Sequence, residues 1–576
     1  MLALHQFDYL FAIGMIFAFL DAWNIGANDV ANSFATSVSS RSLTYTQAMI
    51  LAAMCEFLGA VLLGNRVADT IRNKIISVKL FEDSPATLML GMVCAVVGSS
   101  TWLTIATRIG APVSTTHSIV GAIIGVGIAT YGGDGVVWGW KGFSQIVASW
   151  FIAPGVAGCF AAILFLITKF LVLERGDKAL RNAFFVLPVY FCFTTSVLTL
   201  VIVWKSGAQL NVSKLTPAGI AAAVLGVAGA TLLLYLVFFL PYLQRRIVKE
   251  DWTIKWYHIF IGPLLWNRGE IPPAPPGTSV VQDYYRGHRV EESEQSAGSI
   301  EKGGLDNKDV EVGMNLSESE SSNVAAATDV EQSQLAAEEK TGLAKYPIWH
   351  PLGVLYKVYR VLTHGIRQDV VTYQQSGSGG FLAGDVKRRN KNVPHYDNKV
   401  EHLYSFLQAL TAGTASFAHG SNDVANAIGP LSTIYLVWTT NTIASKADVP
   451  VWILVYGGVA IVIGLWTYGY NIMRNLGNRL TLHSPSRGFS MELGAAITVI
   501  FATKLGLPIS TTQCIVGATV FVGLCNNDLK AINYRMVAWC YAGWILTLPC
   551  AGLISGILMG IIINAPHFEA QYELMN

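Results

Sequence analysis

Two aspartates sit inside apolar sequence, Asp29 within Gly26-Ala-Asn-Asp-Val-Ala-Asn32 and Asp423 within Gly420-Ser-Asn-Asp-Val-Ala-Asn426. A charged side chain at a bilayer centre costs about 3 kcal/mol or more, so an acid held there is functional by default. Each has an asparagine beside it, Asn28 or Asn422, and another three residues on, Asn32 or Asn426. That spacing lines side-chain oxygens along one helical face. The set suits a hard cation such as sodium, which takes several oxygen ligands and whose charge a carboxylate offsets. The plainer alternative is an Asp/Asn cluster that caps broken helices or bridges spans, and repetition of the motif weighs against it.

A second pair of motifs suits an anion. Pro112-Val-Ser-Thr-Thr116 and Pro508-Ile-Ser-Thr-Thr512 each follow a glycine-containing pair, Gly110-Ala111 or Gly506-Leu507. Proline fits the first turn of a helix and disfavours helix in the residue before it, so a break is expected at each pair, with a new helix starting at the proline. Free backbone N–H groups, the positive end of the helix dipole and the hydroxyls of Ser114, Thr115, Thr116, Ser510, Thr511 and Thr512 would then converge. Two such N-termini facing each other would cradle a small tetrahedral anion without a fixed cation. Serine and threonine in membrane helices also bond to the preceding turn or to a neighbouring helix, and duplication again argues for the site.

Other polar residues in apolar stretches are coupling candidates. Glu56 and Glu492 do not align with each other in the repeat, and His419, just before the second acidic motif, is matched by Ile25. A proton-sensitive role and a packed, hydrogen-bonded one both remain open for His419. Arg108 and Lys504 match, four residues before each proline; snorkelling or a structural ion pair is expected of them in preference to anion contact.

The elements that must position these groups follow from an internal repeat. Thr107 to Gly127 aligns without gaps on Thr503 to Gly523, with 12 of 21 positions identical, at an offset of 396 residues; the acidic motifs repeat at an offset of 394. Of 576 residues, 52% are hydrophobic and 13% charged, about half the charge of a soluble chain. Apolar stretches lie at about 6–24, 46–65, 87–108, 112–131, 143–171, 183–205 and 215–242, then 403–437, 450–472, 489–507, 510–526 and 535–563. The fold class expected is an all-α polytopic membrane protein of about 12 transmembrane segments with broken helices. Seven crossings before the gap place the second repeat in the membrane upside down relative to the first, an inverted repeat of the kind found in transporters.

The expected division is a first membrane half at 1–242, a linker at 243–400 and a second half at 401–576. Between Glu291 and Lys340 there are 13 acidic residues against three lysines and no aromatic, so 268–345 is expected to be largely disordered. Tyr346 to Arg367 can form an amphipathic helix lying on a membrane surface. Basic Arg245, Arg246 and Lys249 place the linker in the cytoplasm and both termini outside. Arg66, Arg72, Lys74 and Lys79 run against that orientation, whereas the sequon Asn211-Val-Ser213 agrees with it. The first apolar run has no Lys or Arg before Arg41, which argues for a retained span instead of a cleaved signal. The eight cysteines are unpaired in spacing and read as buried apolar residues. Scattered basic residues exclude a nucleic-acid partner.

In both Gly-x-Asn-Asp-Val-Ala-Asn segments, the paired Ser-Thr-Thr triads, Glu56, His419, Glu492 and the large central loop, the chain resembles the inorganic phosphate transporter family, in particular fungal sodium-dependent symporters. The one departure noted is Gln513 where the first half has His117. The resemblance implies phosphate as substrate, sodium as co-substrate with no other cofactor, a plasma-membrane location and a homodimer. It also implies that Asp29, Asn28, Asp423 and Asn422 handle sodium and phosphate and that the triads contact phosphate; joined to the oxygen pattern of the motifs, this assigns the triads with Asn28 and Asn422 to phosphate and Asp29, Asn32, Asp423 and Asn426 to sodium. Spacing alone stops at a symporter of an anion and a cation. Proton coupling and a phosphate receptor signalling through its linker are the competing readings; an enzyme is the weakest, since no nucleophile–base pair or metal triad is visible.

Overall fold

The computed structural model describes residues 4–65, 67–68, 71, 75–140, 142–205, 215–276, 278–286, 349–363, 370–375, 382, 389, 393–443, 449–505, 507–526 and 528–565. Within them, each apolar stretch corresponds to a helix: α1 (His5–Ser39), α2 (Tyr45–Leu63), α3 (Pro85–Ile109), α4 (Thr115–Tyr131), α5 (Phe143–Leu173), α6 (Ala179–Lys205), α7 (Pro217–Val248), α8 (Asn398–Thr440), α9 (Val451–Tyr468), α10 (Pro485–Lys504), α11 (Thr511–Leu524) and α12 (Tyr534–Asn564). Among the described residues there are no strands, only an isolated bridge between Ile76 and Val136. Eight of the described helices are long and apolar enough to cross a membrane. The four that are shorter or more polar, α4, α8, α10 and α11, carry both triads, the second acidic motif, His419 and Glu492. α4 and α11 are shortened by the breaks before them, whereas α8 and α10 carry more polar residues.

The first span does not stop near residue 24. α1 continues through a π turn at Ile25–Val30 to Ser39, because nothing in Gly26–Asn32 breaks a helix and the wide turn absorbs an extra residue. α8 likewise runs 43 residues through its own acidic motif. Both motifs therefore lie within continuous helices, and neither caps a helix end.

The two sequence halves interlace. α4 packs along α12 and α11 along α5, so each triad-bearing helix leans on a helix from the opposite side of the linker. Gly121 and Gly517, equivalent in the repeat, face the carbonyls of Leu548 and Pro154; a Cβ on either would lie 2.4 Å from that oxygen. Outward-facing Ile16, Phe151, Phe185, Leu225, Ile545 and Leu553 form the apolar exterior that a bilayer covers.

Part of the linker departs from the disorder expected over 268–345. Tyr284 and Tyr285 are buried against Val393, Leu482 and Ala531, and Tyr285 Oη donates to Glu401 at 2.8 Å. These two rings supply apolar area that the acidic stretch lacks. Arg245 donates to Asp251 at 2.7 Å and to the carbonyl of Arg268 at 2.8 Å. Burial pushes the Asp251 carboxyl up, but hydrogen bonds from Thr253 and Arg245 outweigh it and hold it below the ordinary value. Helix Pro351–Thr363 falls within the expected amphipathic stretch, with Leu352, Val354, Leu355, Val358 and Tyr359 exposed. Residues 287–345, the sequon, and Arg66, Arg72 and Lys74 lie outside the described residues.

Candidate functional site

The breaks form as expected, but the new helices start later than the prolines. α3 ends at Ile109 and α4 begins at Thr115, with Ser114 as N-cap accepting from His117 N at 3.3 Å; Ser510 caps α11 in the same way through Gln513 N at 3.3 Å. Serine satisfies an otherwise free N–H better than proline can, so the prolines stay two residues upstream and keep the chain extended. Ser114 and Ser510 thus use their oxygens as caps, and each retains one O–H to donate.

The two acidic motifs meet the two triads in one buried cluster. Asp29 accepts from Thr115 Oγ1 at 2.6 Å and Thr115 N at 3.3 Å on one oxygen, and from Thr512 Oγ1 at 2.9 Å on the other. Thr115 belongs to the first half and Thr512 to the second, so one carboxylate ties both helix N-termini together. Asp423 accepts from Thr511 Oγ1 at 2.5 Å and from Asn422 Nδ2 at 2.6 Å. Asn426 Nδ2 reaches across to Thr115 Oγ1 and Thr116 Oγ1, both at 3.1 Å, and Thr116 Oγ1 lies 3.4 Å from the carbonyl of Ile509.

The asparagines divide their work unequally. Asn28 clamps the first break, donating to Thr107 Oγ1 at 3.1 Å and Ala111 O at 3.0 Å and accepting from Val113 N at 3.2 Å. Asn422 holds the second through Ile509 O at 3.2 Å. Asn32 does not match its counterpart Asn426: among the described residues its Nδ2 has no hydrogen-bond partner, and it lines a small crevice with Thr36, Gly477, His483 and Thr519.

His419 joins the cluster to Glu56. Its Nδ1 is 2.9 Å from Glu56 Oε2 and its Nε2 2.9 Å from Asp423 Oδ2, and Ser416 Oγ donates to Glu56 at 2.8 Å. Both ring nitrogens donate only in the imidazolium; in that form three carboxylates, Asp29, Asp423 and Glu56, face one positive charge. One ligand atom each from Asp29, His419 and Asp423 lies within 4.8 Å of the others. Glu492 stands apart from these, accepting from Thr36 Oγ1 at 2.7 Å, Ser37 Oγ at 2.5 Å, Gln408 Nε2 at 3.0 Å and Thr411 Oγ1 at 2.7 Å. It pins α10 to α1 and α8. Arg108 points outward, as a snorkelling residue does; the side chain of Lys504 lies outside the described residues.

The motif glycines have a packing reason. A Cβ on Gly26 would lie 1.9 Å from Ile461 O of α9, and one on Gly420 would lie 2.4 Å from Glu56 O of α2. Sequence reasoning missed the donors that hold Glu492, and it missed Asp21, a buried acid two turns before Asp29. The rule that singled out Asp29, an acid inside an apolar span, applies equally to Asp21, which has no counterpart in the repeat to draw attention to it.

Comparison with known proteins identifies the family of the chain. Residues 25–555 match the phosphate transporter family. The chain is 51% identical to the phosphate-repressible phosphate permease pho-4 of Neurospora crassa, over 98% of this chain and 99% of that one. It is 31% identical to sodium-dependent phosphate transporter 1-A of Danio rerio, over 96% and 94%. A solved structure described as the sodium-dependent phosphate transporter superposes with a TM-score of 0.62 at 25% identity, covering 97% of this chain and 100% of that one. The chain belongs to the phosphate transporter family, and is a multi-pass membrane transporter and not an enzyme.

Proposed function

We propose that the chain carries inorganic phosphate inward across the plasma membrane together with sodium, by alternating access. In this reading residues 243–400 are cytoplasmic, both termini are outside, and the repeats at 1–242 and 401–576 are inverted. The observation that carries it is the convergence of both triads on Asp29 and Asp423. Phosphate seated at the N-termini of α4 and α11 would share Thr115, Thr511 and Thr512 with two carboxylates. Like charges about 4 Å apart repel by about 4 kcal/mol at an effective dielectric constant of 20, so the anion is held only once cations have entered. Sodium near Asp29, Asn32, Asp423 and Asn426 turns that repulsion into attraction, which makes binding of the two substrates interdependent. Asn28 and Asn422 set the breaks that present the triads to phosphate, and Glu56, His419 and Glu492 couple cation occupancy to helix position. The membrane potential adds about 2.3 kcal/mol per net charge per 100 mV. Relatives named as sodium-dependent support the same choice of cation.

The test is radiolabelled phosphate uptake into liposomes holding the purified protein, with an inward sodium gradient or with choline at equal pH. Accumulation in sodium alone is expected, and Asp29→Asn should abolish it; full sodium-dependent uptake by that variant would remove Asp29 from the site. His419, clamped between Glu56 and Asp423, favours proton coupling as the second reading. Equal uptake in choline would select it.

A further inference from the structure

α1 holds a second acid that the phosphate site does not use. Asp21 lies about 12 Å along the helix from Asp29 at 1.5 Å per residue, and it is fully buried. Its Oδ1 accepts from Ser99 Oγ of α3 at 2.7 Å, and Ser99 Oγ lies 3.1 Å from Ser118 Oγ of α4. Among the described residues its Oδ2 has no hydrogen-bond partner, and neither has Oδ1 of Asn24, three residues on and also buried. Asn24 Nδ2 donates to Leu20 O and to Thr104 Oγ1 of α3, each at 2.9 Å. Both side chains therefore face α3 from one side of α1.

This arrangement is rich in acceptors and poor in donors. No hydrogen bond or ion pair from a basic side chain reaches Asp21 among the described residues. A carboxylate removed from water with one oxygen bare is costly, and a second bare oxygen one turn on compounds it. Asp29 contrasts with it, since hydroxyl donors satisfy both of its oxygens. What would satisfy Asp21 and Asn24 together is a hard monovalent cation: all the available ligands are oxygens, and a single carboxylate supplies one negative charge.

We infer that Asp21 Oδ2, Asn24 Oδ1 and the Ser99 hydroxyl oxygen form a sodium site separate from the Asp29–Asp423 pair, so that each transport cycle carries one sodium ion beyond those bound at that pair. The inference rests on the sodium-coupled reading for its transport consequence, but the binding of the ion does not. Ser99, through Ser118, also links the site to the helix that begins with the first triad, and occupancy at Asp21 therefore bears on where α4 sits.

The experiment compares wild type, Asp21→Asn and Ser99→Ala in the full-length chain. Uptake of ²²Na⁺ and ³²P-phosphate is counted in the same liposomes, and the melting midpoint of each protein in detergent is measured in sodium chloride and in choline chloride. Asp21→Asn should lower the sodium-to-phosphate ratio by one and shrink the stabilisation by sodium. Ser99→Ala, which keeps the carboxylate, should retain the ratio and raise the sodium concentration for half-maximal uptake several-fold; it keeps the idea testable if Asp21→Asn fails to fold. An unchanged ratio together with an unchanged sodium shift would overturn the site. Loss of a pH-gradient contribution with the sodium ratio intact would also overturn it, since Asp21 would then carry a proton. If wild type imports phosphate without sodium yet sodium still stabilises it through Asp21, the coupled reading fails while the site stands.

Discussion

Replacing His419 with isoleucine, the residue at its counterpart position 25, leaves Glu56 and Asp423 facing each other without the imidazole between them. Both contacts are 2.9 Å and all three side chains are buried. Removing one partner from a buried charged group costs about 3–5 kcal/mol, because the remaining charge stays desolvated. His419→Ile should therefore lower the free energy of unfolding by about that amount, measured in mixed detergent by tryptophan fluorescence with choline as the only cation. Adding Glu56→Gln removes one of the two stranded carboxylates, so the double variant should recover a substantial part of the loss. In wild type, Glu56→Gln alone breaks a satisfied contact and should destabilise. This reversal of sign is a coupling energy between neighbours. If His419→Ile unfolds like wild type, or if Glu56→Gln destabilises equally in both backgrounds, His419 does not hold the acids as described.

Thr512→Val removes a hydroxyl that donates to the Asp29 carboxylate; a bond to a charged group contributes about 1.5–3 kcal/mol, so kcat/KM for phosphate uptake should fall about 10- to 150-fold. Thr116→Val, whose hydroxyl meets the neutral Asn426 amide and Ile509 carbonyl and no charged group among the described residues, should cost about tenfold or less, and equal losses would contradict the assignment. Gly26→Ala places a Cβ 1.9 Å from the Ile461 carbonyl, whereas one on Gly14 meets the end of the Ile434 side chain at 2.9 Å. Overpacking against backbone should cost about 3 kcal/mol or more, with folded yield by size-exclusion chromatography reduced for Gly26→Ala and near wild type for Gly14→Ala. Glu492→Gln turns an acceptor of four donors into a side chain that must donate; uptake should fall while the midpoint drops by about 1–3 kcal/mol in unfolding free energy, and wild-type uptake would exclude a coupling role.

The chemistry was legible where the membrane makes polarity conspicuous. Asp29, Asp423, Glu56 and Glu492 stand out because an acid in an apolar stretch is expensive, and duplication raised the acidic motifs and the triads above chance. Helix existence followed from apolar length alone. Less legible were boundaries set by competition among neighbours: Ser114 and Ser510 out-compete the prolines as the places where α4 and α11 begin, and α1 runs on to Ser39 past its expected end. The order of Tyr284 and Tyr285 was hidden because their apolar partners, such as Leu482 and Ala531, lie far along the chain.

Residue types and spacing by themselves determined that this is a helical membrane protein with duplicated cation- and anion-suited motifs. They could not decide which halves of those motifs touch. Thr512 meets Asp29 across 483 residues, and Thr36 meets Glu492 across 456. Only the packing of α1 against α10 and α11 brings such groups together, and the closed bundle breaks the equivalence of Asn32 with Asn426. Sequence patterns report what a segment prefers within a few turns, whereas shared burial of charge is settled by contacts that form only when the whole helix bundle has closed.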